Sequence, residues 1–276
     1  QRGVHVIEPE SGALGSGDSG VGRLPSPEEI ARRALAILGG SDEAAVGTSL
    51  AGKTLVVTAG GTREPIDPVR FLGNKSSGRQ GLAIAAAAAR AGARVRVIAA
   101  NIDDSVMACL PSSVEVTRVG SAQQMREATL AQVRGADALV MTAAVADFRP
   151  EATHASKMKK DPSTSDAPTL RLVRNPDILS EVGHSVTRPP LVVGFAAETG
   201  TDEEILAYGA DKAARKGADY IALNRVGAGV GFGDVPNDIR LLDASGAIVG
   251  RYTGSKDEVA AGLIGQIAAF LDSLER

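Results

Sequence analysis

Lys53-Thr54-Leu55-Val56-Val57-Thr58-Ala59-Gly60-Gly61-Thr62 is the stretch whose reading decides the fold. A short apolar run ending on paired glycines reads as a buried strand that hands its loop to a ligand. Glycine lets the backbone turn tightly, so its N–H groups can face an anion. Similar runs recur at Val95–Ala100, Ala138–Thr142, Leu191–Ala197 and Tyr220–Leu223, with a shorter one at Val114–Val116. Helical patterns lie between, over Gly81–Ala91, Ser121–Arg134, Pro176–Val186 and Asp202–Lys216. Alternating strands and helices predict a Rossmann-like α/β fold, a mostly parallel sheet with helices on both faces. Beyond it, Asp238–Leu242 and Ala247–Thr253 predict a β-hairpin turning at Asp243-Ala244-Ser245-Gly246, and Lys256–Leu274 a closing helix.

Upstream, Ser26-Pro27-Glu28-Glu29 reads as a helix start, with Ser as N-cap, Pro in the first turn and acids behind it. Ile30, Ala34, Leu35 and Leu38 form the apolar face of that helix, and Gly39-Gly40 stops it. The expected organisation is therefore a leading segment 1–40, a polar linker 41–50 and a main domain 51–276. The opening Gln1-Arg2-Gly3-Val4-His5 is neither a signal peptide nor an initiating methionine, and reads as a fragment of a longer chain.

Composition narrows the function classes. The 276 residues are 43% hydrophobic and 23% charged, the proportions of a globular protein, with a formal net charge of −3. That balance provides no global basic field for nucleic acid. No apolar run approaches the roughly 20 residues needed to cross a bilayer, so no membrane partner is expected. The single Cys109 excludes an intrachain disulfide and a cysteine-cluster metal site, and fits a reducing cytoplasm. His5, His154 and His184 have no metal-ligand spacing.

In an open parallel sheet, ligands gather outside the carboxyl ends of the strands, so the loops there carry the functional reading. Gly60-Gly61 offers a tight anion-facing turn, but Pro65 and Pro68 interrupt the direct run into a helix that a dinucleotide fingerprint requires. Asn74-Lys75-Ser76-Ser77-Gly78-Arg79-Gln80-Gly81 stands just before the Ala-rich helix, where N–H groups and a partial positive charge attract anions. Ala143-Ala144-Val145-Ala146-Asp147 would let a ligand lie against the backbone beside one carboxylate, which could orient a metal, a sugar or a base. Lys157-Met158-Lys159-Lys160 leads into a Pro- and Ser-rich segment that reads as a flap whose base would clamp a triphosphate. Asn175 before Pro176 reads as a helix cap, and Lys212 and Lys216 share one helix face.

In this order and spacing, these loops resemble the bacterial phosphopantothenate–cysteine ligase family. The matching string runs Val57–Arg70 and Asn74–Gly78, then Ala143–Asp147, Lys157–Lys160, Asn175-Pro176-Asp177-Ile178, Gly194–Thr199 and the Lys212/Lys216 pair. The resemblance implies a cytoplasmic homodimeric ligase joining 4′-phosphopantothenate to L-cysteine with CTP and Mg²⁺ through an acyl-cytidylate, a step of coenzyme A biosynthesis. It further implies that Gly60, Ala143, Ala144, Asp147, Lys157, Asn175–Ile178, Phe195, Lys212 and Lys216 bind nucleotide. Asn74, Lys75, Ser76, Ser77, Gly78, Arg79 and Ala144 would bind substrate, with Asn74 and Lys157 catalytic and Asp147 the candidate metal ligand. The hairpin 238–253 would serve dimerisation. Upstream, Gly15-Ser16-Gly17-Asp18-Ser19-Gly20-Val21-Gly22-Arg23 resembles the last loop of the flavin-dependent decarboxylase to which such ligases are fused. Ser16 stands where that loop has its catalytic Cys, so residues 1–40 read as a decarboxylase remnant without activity, and FMN belongs to the other half. An NAD(P)-dependent oxidoreductase and a non-catalytic nucleotide-binding module are the competing readings.

Overall fold

The computed structural model describes residues 10–13, 19–24, 27, 30, 49–159, 167–198, 201–225 and 237–275. The chain divides into two units, residues 1–47 and 48–276, and the division falls inside the segment read as a linker. In the first unit, β1 (Glu10–Ala13) pairs antiparallel with β2 (Ser19–Arg23), and Pro27 and Ile30 are helical. Ser16, the cap at Ser26 and the rest of that expected helix lie outside the described residues.

In the second unit an eight-stranded sheet is built from β3 (Thr54–Gly60), β6 (Arg94–Ala100), β7 (Glu115–Val119), β8 (Ala138–Met141), β11 (Leu191–Glu198), β12 (Tyr220–Arg225), β13 (Asn237–Asp243) and β14 (Ile248–Gly254). Its order is β14-β13-β12-β11-β8-β3-β6-β7. The strands from β7 to β12 run parallel, and β13 and β14 extend the sheet antiparallel. Numbered among themselves, the parallel strands lie in the order 3-2-1-4-5-6, the doubly wound arrangement. That order reverses direction between β3 and β8, so a crevice opens above their carboxyl ends.

Alternate residues of each strand feed two cores, which is why these strands read as continuous apolar runs. Leu55, Val57 and Ala59 of β3 face a core closed by α1 (Arg79–Arg90) and α6 (Lys256–Leu274). Val56 joins the opposite core, covered by α3 (Ala122–Gln132), α4 (Ile178–Gly183) and α5 (Asp202–Lys216). Ala83–Ala88 in α1 are all buried, and small side chains there let α1 pack closely on both β3 and α6. Capping boxes set the starts of three helices: Ser121 with Gln124, Thr201 with Glu204, and Ser255 with Glu258.

The structure refines several expectations. The helix expected over Pro176–Val186 is only Ile178–Gly183, because Asp177, not Asn175, caps it by accepting from Ser180 N. Two short antiparallel pairs, β4 (Arg63–Pro65) with β5 (Phe71–Gly73) and β9 (Phe148–Pro150) with β10 (Leu172–Arg174), went unread, as did the short α2 (Asp104–Met107). Each is too short to show a period. The hairpin expected over 238–253 is β13–β14, and it joins the edge of the main sheet through β12 with α6 packed on it.

Candidate functional site: two clefts at the switch point

The loops after β3 and β8 are stitched together above the crevice. Gly61 bridges Ala144, Ala144 N donates to Gly60 O at 2.8 Å, and Thr62 N donates to Ala144 O at 3.2 Å. Two threonines complete the seam: Thr62 Oγ1 accepts from Ala146 N at 2.9 Å, and Thr142 Oγ1 donates to Thr58 O at 2.5 Å. Asn101, in the left-handed region at φ 50°, donates from one amide nitrogen to Gly61 O (2.9 Å) and Gly120 O (2.8 Å). The loops of β3, β6 and β7 are thereby tied at one point.

Gly60 has φ 86°, and a Cβ there would lie 2.0 Å from Ala100 O. Gly78, with φ 76°, is wedged against Ile102, and a Cβ on it would be 3.2 Å from Gly60 N. So the N-terminus of α1 comes back against the end of β3, although the chain first travels out through β4 and β5. Gly60 lines neither cleft described below, and its glycine is explained by this close approach.

The stitched segment Thr142–Asp147 separates two clefts. One has a volume of about 210 Å³ and is lined by Lys75–Gly81, Thr142–Ala144, Phe195–Ala197, Asn224, Asn237 and Lys256. Gly78, the N-cap position of α1, provides no side-chain cap, and the partial positive charge of that helix end faces this cleft. Among the described residues no carboxylate lines this cleft. The expected substrate-binding Lys75, Ser76, Ser77, Gly78, Arg79 and Ala144 all line it.

The other cleft measures about 630 Å³, within the range of roughly 300–1,000 Å³ usual for small-ligand sites. Ala143, Asp147, Asn175, Pro176, Asp177, Ile178, Phe195, Lys212 and Lys216 all line it, so most of the expected nucleotide-binding set converges here. Ala143 and Phe195 belong to both clefts.

Charge in the larger cleft is organised by α5. Lys216 forms a salt bridge with Asp177, and Lys212 Nζ lies 3.8 Å from Glu198 Oε1. Burial opposes ionisation of Asp177, but Lys216 and the Ser180 N–H outweigh it and hold the carboxyl below its ordinary range. For Lys212, burial comes first and the like charges of Lys216 and Arg215 add to it, so its pKa is lowered despite Glu198 and Asp147. An anion entering beside Lys212 would therefore relieve an unfavourable charge arrangement.

Asn175 is a tie, not a cap. Its Nδ2 donates to Ala146 O at 2.7 Å, its backbone N to Asp147 O at 2.8 Å, and its Oδ1 accepts from Arg149 at 3.1 Å. These bonds fix the backbone that carries Asp147. Asn74 lies outside both lining sets but at their junction, where Nδ2 donates to Val145 O at 3.1 Å. Its neighbour Lys75 lines the small cleft and Val145 the large one.

Lys157 is exposed and lines neither cleft. The segment around it is anchored next door: Met158 N donates to Asp67 Oδ2 and Met158 O accepts from Arg70. Hydrogen bonds from the Arg70 guanidinium, reinforced by backbone N–H groups, hold the Asp67 carboxyl well below the usual carboxylate range. Lys160 and residues 161–166 of the expected flap lie outside the described residues, and the antiparallel pair β9 and β10 brackets that segment in the sequence.

Sequence reasoning missed Arg215, Asn224, Asn237 and Lys256 as lining residues, and Arg174, at the head of the Asn175–Ile178 stretch, lines the large cleft as well. Helical spacing alone points to Arg215, one residue before Lys216 and three after Lys212. Asn224, Asn237 and Lys256 carry no local signal.

Among the described residues no group of three or more His, Cys, Asp or Glu could hold a metal, and no helix is long and apolar enough to cross a membrane. The coenzyme A biosynthesis bifunctional protein CoaBC of Mycobacterium tuberculosis (strain H37Rv) is 44% identical over 277 residues, covering 98% of this chain and 65% of the relative. Thus the chain spans just under two thirds of that relative's length. The crystal structure of the C-terminal domain of a CoaBC protein superposes with TM-score 0.66 at 32% identity, covering 82% of this chain and 99% of that one. A Cab2 mutant in complex with phosphopantothenate-cysteine shares the fold, with TM-score 0.59 at 15% identity over 90% of this chain and 95% of that one. Residues 50–271, which carry both clefts and nearly the whole second unit, match the DNA/pantothenate metabolism flavoprotein C-terminal domain, and the chain belongs to that family.

Proposed function

We propose that this chain joins 4′-phosphopantothenate to L-cysteine at the expense of CTP, forming phosphopantothenoylcysteine, CMP and pyrophosphate. The observation that carries the reading is the pair of clefts sharing Ala143 and Phe195. One cleft offers a helix N-terminus and cations, with no carboxylate among its described lining residues; the other is rimmed by Lys212, Arg215 and Lys216. Two anionic substrates can thus meet across a wall made of little more than backbone.

The chemistry follows from charge. A carboxylate resists an attacking amine, so its oxygen first attacks the α-phosphorus of CTP, and the bond to the β-phosphate breaks as pyrophosphate leaves. The cysteine nitrogen then attacks the acyl carbon, expels CMP, and loses a proton to complete the amide. Lys212, Lys216 and Arg215 hold the triphosphate; Ala143, Ala144, Asn175–Ile178 and Phe195 hold base and ribose against the strand ends. Lys157, brought in on the segment anchored by Asp67, is assigned to the α-phosphate. Asn74, at the junction, is assigned to the second step. Its uncharged amide polarises the acyl oxygen without attracting the proton that would silence the amine.

Magnesium fits this cleft as an ion carried mainly by phosphate oxygens, with Asp147 the carboxylate candidate because Asp177 is engaged by Lys216; Mg²⁺ commonly takes one or two protein carboxylates and completes its shell with phosphates and water. Bound there, it would neutralise charge on the departing pyrophosphate. The β13–β14 hairpin is assigned to homodimerisation, the cytoplasm is the fitting compartment, and FMN is left to the decarboxylase partner domain.

A dinucleotide-dependent oxidoreductase is disfavoured by the loop after β3. It leads into β4 and β5, and α1 begins only at Arg79. In a dinucleotide fold the glycine turn enters the helix directly. The deciding assay measures pyrophosphate release with phosphopantothenate, cysteine and each nucleoside triphosphate in turn. Release with CTP that depends on phosphopantothenate supports the ligase; CTP binding without release leaves only a nucleotide-binding module.

A further inference from the structure

The small cleft has a wall that the ligase reading leaves without a role. Lys256, the first residue of α6, lines it together with Gln80, Asn224 and Asn237. Three of these form a closed ring. Gln80 Nε2 donates to Lys256 O at 3.3 Å, Asn237 Nδ2 donates to Gln80 Oε1 at 2.6 Å, and Lys256 Nζ donates to Asn237 Oδ1 at 3.4 Å. Asn237 is 4% exposed, so the ring has a fixed floor. Beside it, Asn224 Oδ1 is shut off from solvent and has no hydrogen-bond partner among the described residues. A buried acceptor left in that state costs free energy.

We propose that Lys256 is a further substrate-binding residue, which takes the phosphate of the acyl substrate and makes phosphorylation of pantothenate a requirement. This rests on the ligase reading above. In that reading the substrate's carboxylate must lie at the wall shared with the nucleotide cleft, at Ala143 and Phe195. The phosphate is the opposite end of the molecule. β13 and α6 line the small cleft only, so the cation they bring stands on the side away from the shared wall. Lys75, Arg79 and the α1 N-terminus supply the remaining positive potential. Asn237 and Gln80 are positioning residues, which hold the Lys256 stem where its ammonium faces the cleft.

The test compares wild type, Lys256→Met, Lys256→Gln and Lys256→Arg for pyrophosphate release. KM is measured for phosphopantothenate and CTP, and Ki for unphosphorylated pantothenate as a competitor. Losing a hydrogen bond to a charged group predicts a rise in KM for phosphopantothenate of about tenfold to a hundredfold in the Met and Gln variants. KM for CTP, kcat and the Ki of pantothenate stay near wild type, and Arg recovers most of the loss. Should Met unfold the start of α6, Gln keeps a donor for Asn237 without the charge and carries the same prediction. An unchanged KM for phosphopantothenate overturns the proposal, as does an equal loss for phosphopantothenate and pantothenate, which marks a purely structural role. A wild-type protein that releases no pyrophosphate defeats the ligase reading itself, a result separable from either.

Discussion

The two clefts flanking Thr142–Asp147 offer positive potential by different physical means. The small one relies on backbone: an uncapped helix N-terminus, glycines at Gly78 and Gly81, and a floor of amide side chains. The large one relies on long charged side chains of α5, each already engaged with an acid, Lys216 with Asp177 and Lys212 with Glu198. Backbone sites are set by close packing and tolerate no added atoms. Side-chain sites exchange one partner for another and tune affinity by charge. In the proposed ligase, the backbone-built cleft would hold the acyl substrate in register while the side-chain cleft admits the nucleotide and releases pyrophosphate.

The most severe way to break this arrangement is at its hinge of packing. Gly60→Ala adds a Cβ into Ala100 O at a positive φ, and should destabilise the protein by roughly 3 kcal/mol. Gly135→Ala also has positive φ, at 70°, but open space, so about 1 kcal/mol is expected there. Thermal or denaturant melting of the pair checks whether close approach, and not dihedral strain alone, dictates Gly60.

At the junction, Asn74→Asp replaces the donor to Val145 O with a carboxylate that the carbonyl repels. Turnover should fall by about a hundredfold to a thousandfold, the scale of a lost oxyanion-type donor, while acyl-cytidylate still forms and accumulates. Rapid quench reads the intermediate directly; wild-type turnover in the variant would remove Asn74 from the second step.

Within the large cleft, Lys216→Ala should raise KM for CTP roughly tenfold and leave KM for phosphopantothenate nearly unchanged, since one charged hydrogen bond is lost on one side only. Equal rises in both constants would mean that the clefts do not divide the substrates as described.

The smallest expected effect is one of pH. Because the folded pKa of Lys212 is depressed, its cation is lost at a lower pH than the ordinary 10.5. Bound triphosphate favours the charged form, so nucleotide affinity should weaken a few-fold as pH rises toward that value. Lys212→Arg keeps its charge throughout and should flatten the alkaline limb in a calorimetric titration. Identical limbs in both proteins would assign the titration to another group.

How much of this was legible depended on the range of the signal. Apolar runs such as Leu55–Val57 and Ala138–Val140 identify themselves, since a strand buried on both faces needs no partner to declare its character. The Asp202–Lys216 and Lys256–Leu274 helices were readable end to end, and Thr201 and Ser255 cap them locally. Asn175 misled because Asn before Pro imitates a cap, whereas its amide reaches back to Ala146, a contact across 29 positions. Lys157 was singled out for its basic run, whereas the described structure anchors its neighbour Met158 to Asp67 and leaves Lys157 exposed.

By itself, then, the amino-acid sequence determined the strands and helices, the parallel character of the sheet and the residue types at the strand ends. Those depend on hydrophobic period, glycine and capping chemistry, all of which act over a few residues. Only the tertiary structure decided that the strand order reverses between β3 and β8, so that loops far apart in the chain meet there. It also divided the candidate residues between two clefts, put Asn74 at their junction, and brought Lys256 and Asn237 from the end of the chain onto α1. These are long-range contacts chosen by packing two cores at once, and no local pattern encodes them.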